Sequence, residues 1–183
     1  MIETGATKND YNLSSIDVRQ AFLHATAEEE LYMRMPPGLP RYRNGKSLVV
    51  RLLKSLYGLR QAPRAWNALL VAFMLEWGFV QSTIDTCLFT MQDGATILWA
   101  AVWVDDICLV DNNSELRNRF VTELSNRFPV EDQSELDWIL GVQVRRDRKV
   151  RTTSLSQELY ARDIVARYGS HLKDVSRRFD SPL

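Results

Sequence analysis

The sequence predicts an α+β fold, a mostly antiparallel sheet with helices packed on one face. Three observations carry that prediction. Apolar residues run from Ile97 to Val104, break at Asp105 and Asp106, and resume from Ile107 to Val110; this is the pattern of two buried strands joined by a tight turn. Trp66, Leu69, Leu70, Phe73, Met74 and Trp77 recur at three- and four-residue spacing, which is one face of a helix. Along the chain the segments follow as strand, strand, helix, hairpin, helix, hairpin, helix, an order that stacks helices on hairpin-connected strands.

Taken in order, residues 1–12 are polar and aperiodic and read as a frayed lead-in. Residues 13–18 form a short strand with Asp17 near its end, and 19–25 turn helical or irregular. Residues 30–35 alternate like a strand, which Pro36, Pro37 and Gly38 end. Residues 36–46 read as a surface loop and 48–53 as a further strand. Pro63 suits the first turn of the long helix and Gly78 its end; its aromatic stripe reads as core. Residues 86–91 are a strand, followed by a turn signal at Gln92, Asp93 and Gly94. A second amphipathic helix spans 114–128, with Leu116, Phe120, Leu124 and Phe128 in line and Asn113 or Ser114 as its cap. Residues 138–144 read as a strand, Asp147 and Arg148 as a turn, and 150–155 as the return. Ser154 and Gln157 offer a capping box for a last helix with Tyr160, Ile164 and Tyr168 on one face and Gly169 as its stop. A loose polar tail, 170–183, follows. The second face of the sheet is left open, a floor for a groove.

The 183 residues suffice for one domain with a core. No apolar run reaches the roughly 18 to 20 residues of a membrane span, and the N-terminus carries no secretory pattern. Cys87 and Cys108 lie in apolar, strand-like runs and read as reduced core residues. With His24 and His171 the only histidines, a zinc site is disfavoured. Net charge is zero, against general polyanion binding. The distribution is uneven, however. From Leu31 to Leu75 there is no acid, but there are Arg34, Arg41, Arg43, Lys46, Arg51, Lys54, Arg60 and Arg64. A second basic cluster holds Arg145, Arg146, Arg148, Lys149 and Arg151. Solvated faces and a nucleic-acid surface both account for this pattern.

Asp105 and Asp106 sit where a hairpin turn would favour Asn-Gly or Asp-Gly. Two like charges about 4 Å apart repel by roughly 4 kcal/mol at an effective dielectric near 20. Either one carboxyl keeps its proton or a cation sits between them, and hard oxygens suit magnesium or manganese. A solvated acidic turn is the competing reading. If Asp17 ends a strand beside this hairpin, three acids meet at one point, as a two-metal phosphoryl- or nucleotidyl-transfer site requires.

Several motifs go further. DVRQAF (17–22) with EEELYMRMPP (28–37), SLYGLRQAPRAW (55–66), WVDD (103–106), ILG (139–141) and LSQELY (155–160) occur in this order. Together the stretch 15–168 resembles the reverse transcriptase domain of copia-type long-terminal-repeat retrotransposons. The resemblance implies a polymerase palm-like domain over 13–169 with a partial thumb, the fingers lying mostly upstream of Asp17. It implies RNA-directed DNA polymerase activity with two magnesium or manganese ions on Asp17, Asp105 and Asp106. Phe22, Gly58, Gln61 and Pro63 would contact the nucleotide, with Phe22 crowding a 2′-hydroxyl. Trp103, Leu140 and Gly141 would hold the primer end. Template, primer and deoxynucleotide would be the partners, together with other polyprotein domains, and no membrane. Phe22 as plain core, Gly58 and Pro63 as ordinary turn and helix-start residues, and Leu140-Gly141 as a strand kink remain open. Trp103 departs from the tyrosine usual in the family, being larger and lacking a hydroxyl. A second function, a catalytically inactive relic that at most binds nucleic acid, stands beside the polymerase.

Overall fold

A computed structural model describes residues 2–169, and the chain divides into two units, Met1–Leu136 and Asp137–Leu183. The tail 170–183 lies outside the described residues. The first unit opens with α1 (Ile2–Asn9), β1 (Asn12–Val18) and the single turn α2 (Ala21–His24). Four short strands follow: β2 (Tyr32–Arg34), β3 (Tyr42–Arg43), β4 (Lys46–Ser47) and β5 (Val49–Arg51). Then come α3 (Ala62–Trp77), β6 (Val80–Gln81), β7 (Leu88–Asp93), β8 (Thr96–Trp103), β9 (Asp106–Asp111), α4 (Ser114–Arg127) and β10 (Val130–Gln133). The second unit holds β11 (Trp138–Ile139), β12 (Val142–Asp147), β13 (Thr152–Ser156) and α5 (Glu158–Tyr168).

The main sheet has the order β10-β1-β9-β8-β7-β6, and every pairing in it is antiparallel. Side chains alternate across a strand, so Ile16 and Val18 of β1, Leu98, Ala100 and Val102 of β8, and Ile107 and Leu109 of β9 face one way into the core. Trp66, Leu70 and Met74 of α3 and Phe120, Val121 and Leu124 of α4 close over them. Rings interlock at this layer: Trp66 meets Phe128 at 5.1 Å and Trp77 meets Phe120 at 5.0 Å, both edge-on. That geometry suits the ring quadrupoles, and truncating Phe120 to Ala would cost about 3–5 kcal/mol. Asp17, between Ile16 and Val18, is turned to the opposite face. The α+β fold with an antiparallel sheet and helices on its core face is therefore as the sequence predicts.

Helix α3 starts with Pro63 in its first turn. It stops at Gly78, whose φ of 106° is left-handed and whose absent side chain leaves room for Met91 Cε, 3.0 Å from where a Cβ would stand. Asn113 caps α4, its side chain accepting from Leu116 N at 3.0 Å.

Other expectations are corrected. Residues 2–9 are helical rather than frayed. Helix α1 packs against β1 and β9 with Ala6 buried, and Tyr11 meets Trp99 edge-on at 6.2 Å. The second face of the sheet is thus partly covered. The expected loop 36–46 contains the β3–β4 hairpin, built on Asn44 and Gly45. β6 and β10 were not foreseen; β10 is an edge strand, and its polar sequence VEDQ suits that position. The strand expected over 138–144 is broken by a two-residue turn at Leu140 and Gly141 (φ 49° and 76°). At α5, Ser156 rather than Ser154 supplies the hydroxyl, accepting from Glu158 N at 3.2 Å. Gly169 is right-handed, and α5 buries no residue. Cys108 is a buried strand residue as expected, but Cys87 is exposed and precedes β7.

Candidate carboxylate site on the sheet

The turn between β8 and β9 is formed by Val104 and Asp105, not by Asp105 and Asp106. Trp103 and Asp106 are the last paired residues, so Asp106 is the first residue of β9. Val104 takes a φ of 56°, a left-handed conformation that costs a non-glycine residue about 1–2 kcal/mol. Two hydrogen bonds hold it there. Trp66 Nε1 donates to the Val104 carbonyl at 2.7 Å, and Val18 N donates to the Asp105 carbonyl at 2.8 Å. The second bond ties the turn to the end of β1.

Asp17 is the direct cross-strand partner of Asp106. Directly opposed residues of an antiparallel pair share a face, with Cβ atoms about 4.5–5.5 Å apart. On its other side Asp17 is the direct partner of Glu131 on β10. Glu131, Asp17 and Asp106 therefore form a row across three strands. Burial, then Asp105, then Glu131 push the Asp17 carboxyl above the usual carboxylate range, while Arg19 opposes them. Asp106 is raised by burial first and then by Asp105 and Asp17. Arg19 Nη2 meets Glu131 Oε2 at 3.1 Å at the edge of the row.

Hard oxygens on neighbouring strands, with Asp17 and Asp106 held above the usual carboxylate range, are a donor set that suits a hard divalent cation. Among the described residues, no three carboxylate, histidine or cysteine side chains are gathered on one point for such an ion. Register brings Asp17 and Asp106 together, and Asp105 lies close enough to raise both.

Phe22, Pro63 and Trp103 line one largely apolar cavity of about 290 Å³, shared with Trp66, Leu70 and Val104. Phe22 packs on the core and against Tyr57 at 4.8 Å; Trp103 is 60% exposed. Gly58 has a φ of 94° in the loop before α3. Gln61 precedes α3, its Nε2 donating to Glu29 Oε2 at 3.4 Å. Leu140 and Gly141 form a hairpin tip in the second unit. Sequence reasoning missed Glu131 and Arg19, whose places depend on strand register alone. It also missed the polar duty of Trp66, for which one signal existed: a buried indole N–H needs a partner.

Paired carboxylates on an antiparallel sheet beside a strained hairpin turn, with helices behind it, make an α+β arrangement that suits two-metal nucleotidyl transfer. The sequence profile of the family described as Reverse transcriptase (RNA-dependent DNA polymerase) matches residues 2–174, and the chain belongs to that family. It is 40% identical over 163 residues to the Retrovirus-related Pol polyprotein from transposon RE1 of Arabidopsis thaliana and 38% over 162 residues to that from transposon RE2. Identity to the Retrovirus-related Pol polyprotein from transposon TNT 1-94 of Nicotiana tabacum is 33% over 164 residues. These matches cover 88–89% of this chain but only 11–12% of the polyproteins. The copia-type resemblance drawn from the motifs is borne out. Among the described residues, no helix is long and apolar enough to cross a membrane.

Proposed function

We propose that this chain is the palm-bearing part of an RNA-directed DNA polymerase of a copia-type retrotransposon. It would join a deoxynucleotide to a primer 3′-hydroxyl on an RNA or DNA template. The observation that carries the reading is the direct pairing of Asp17 with Asp106, with the Asp105 turn pinned to the same strand end. Asp17, Asp105 and Asp106 would hold two magnesium or manganese ions, which when bound supply charge for the attacking and leaving oxygens. The protein's own part is positioning. Phe22, Gly58, Gln61 and Pro63 would shape the nucleotide side, with Phe22 crowding a 2′-hydroxyl. Trp103 would meet the primer end, and Leu140 and Gly141, in a unit read as a partial thumb, would grip it.

The test is primer extension by the full chain with magnesium or manganese, beside Asp105→Asn. Metal-dependent extension by wild type, reduced at least about a hundred-fold in the variant, supports the reading. A second reading is favoured by the absence, among the described residues, of three acids gathered on one point: an inactive relic that only binds nucleic acid. No extension with either metal, together with RNA binding indifferent to Asp105→Asn, would establish it.

A further inference from the structure

Four side chains stand in one line across the main sheet. Trp103 is the direct partner of Asp106, Asp106 of Asp17, and Asp17 of Glu131. Opposed residues of antiparallel strands share a face. The line therefore runs from an exposed indole, through two carboxylates, to a third on the edge strand β10. Its ends are separated by three strand spacings, roughly 14 Å. Arg19 closes the β10 end, where its Nη2 meets Glu131 Oε2 at 3.1 Å, the two side chains being 62% and 57% exposed.

The backbone of Arg19 is fixed on both sides. Its N donates to the Pro129 carbonyl at 2.9 Å, and His24 Nε2 donates to the Arg19 carbonyl at 2.9 Å. The guanidinium, by contrast, is tied by an exposed ion pair. Such a pair contributes little, so another anion can take the place of Glu131 at small cost. Arg117, on the core side of β10, is committed instead: it is buried, and both its Nη groups donate to Asp132.

In-line phosphoryl transfer puts the attacking and leaving oxygens on opposite sides of the phosphorus. With the primer end at Trp103, the leaving phosphates fall toward the other end of the line, where Arg19 stands. The planar fork of a guanidinium matches phosphate oxygens in pairs. We propose that Arg19 binds the leaving pyrophosphate, and that Glu131 is a stand-in anion that holds the guanidinium in place until phosphate displaces it. Arg19 forms no covalent bond and moves no proton. It supplies positive charge where the leaving oxygen gains negative charge. The inference rests on the polymerase reading, which places the primer at Trp103, and adds to it a residue pair outside the three metal-holding acids.

The experiment is isothermal titration calorimetry of inorganic pyrophosphate into the full chain with magnesium present. Wild type binds. Arg19→Met weakens binding about ten-fold or more, and Arg19→Lys, which keeps a point charge for phosphate, recovers part of the loss. Glu131→Gln tightens binding about three-fold, because the guanidinium no longer leaves a charged partner. That gain vanishes when Arg19→Met is combined with it. A merely structural ion pair predicts otherwise: Glu131→Gln and Arg19→Met remove the same bridge and shift affinity the same way. Weaker binding in Glu131→Gln, a gain that survives in the double variant, unchanged affinity in Arg19→Met, or no binding by wild type overturns the inference. Primer extension is the separate readout. Extension that persists while these results fail costs only the role of Arg19. Absent extension with these results intact removes the polymerase reading and leaves Arg19 as a pyrophosphate site.

Discussion

The indole N–H of Trp66 reaches the carbonyl of Val104 across 2.7 Å, so a core residue of α3 holds the tip of the β8–β9 turn. The same side chain thereby packs the helix layer and sets the place of Asp105. Replacing it with phenylalanine keeps an aromatic ring in the core, removes the donor and leaves a small cavity where the rest of the indole was buried. Trp66→Phe is expected to lower stability by about 1–3 kcal/mol, read as a shifted urea midpoint with unchanged slope. If primer extension is present in wild type, it falls in this variant at temperatures where the chain remains folded.

Val104 sits at φ 56° in the first position of that turn. A β-branched residue there is strained, and glycine is not. Val104→Gly is expected to gain about 1 kcal/mol in the turn and to give part of it back through the entropy of the unfolded chain. Denaturant unfolding should show stability unchanged or slightly raised. A clear loss would mean that Val104 serves the wall of the cavity it shares with Phe22 and Trp103 more than it strains the backbone.

The row of acids sets a pH dependence opposite in sign to that of salt-bridged carboxylates. Asp17 and Asp106 both have carboxyl pKa values raised from 3.8. Between that value and the raised ones, the folded chain binds more protons than the unfolded chain. Stability from these two groups is therefore present below the window and declines as pH rises through it. Thermal melts from pH 4 upward should show this decline in wild type and a smaller one in Asp106→Asn. Millimolar magnesium should recover stability above the window in wild type and not in the variant; equal responses would dissociate the two acids from any shared cation.

Cys87 offers a chemical check on the edge of the same cavity. Burial and then Asp85 raise its thiol above the ordinary range, and only thiolate is nucleophilic. Alkylation by iodoacetamide at pH 8 should be slower than for an unstructured cysteine peptide. Asp85→Asn should speed it.

What could be read from the chain order was whatever local periodicity writes down. The stripe from Trp66 to Trp77 gave α3, because burial on a helix repeats at 3.6 residues. The apolar runs on either side of Asp105 gave β8 and β9, because a strand buried on both faces needs no polar alternation. The motifs gave the family. Some features were legible but passed over: Asn44-Gly45 is a strong hairpin signal, and it lay inside a stretch read as loop.

The three-dimensional fold alone settled which residues stand opposite one another. That Asp17 faces Asp106 on one side and Glu131 on the other is a matter of strand register, fixed by burying Ile16, Val18, Ile107 and Leu109 on the common core face. A slip of one residue would turn every acid of the row into that core. No stretch of sequence encodes this by itself, since the energy that chooses the register comes from side chains some ninety positions apart.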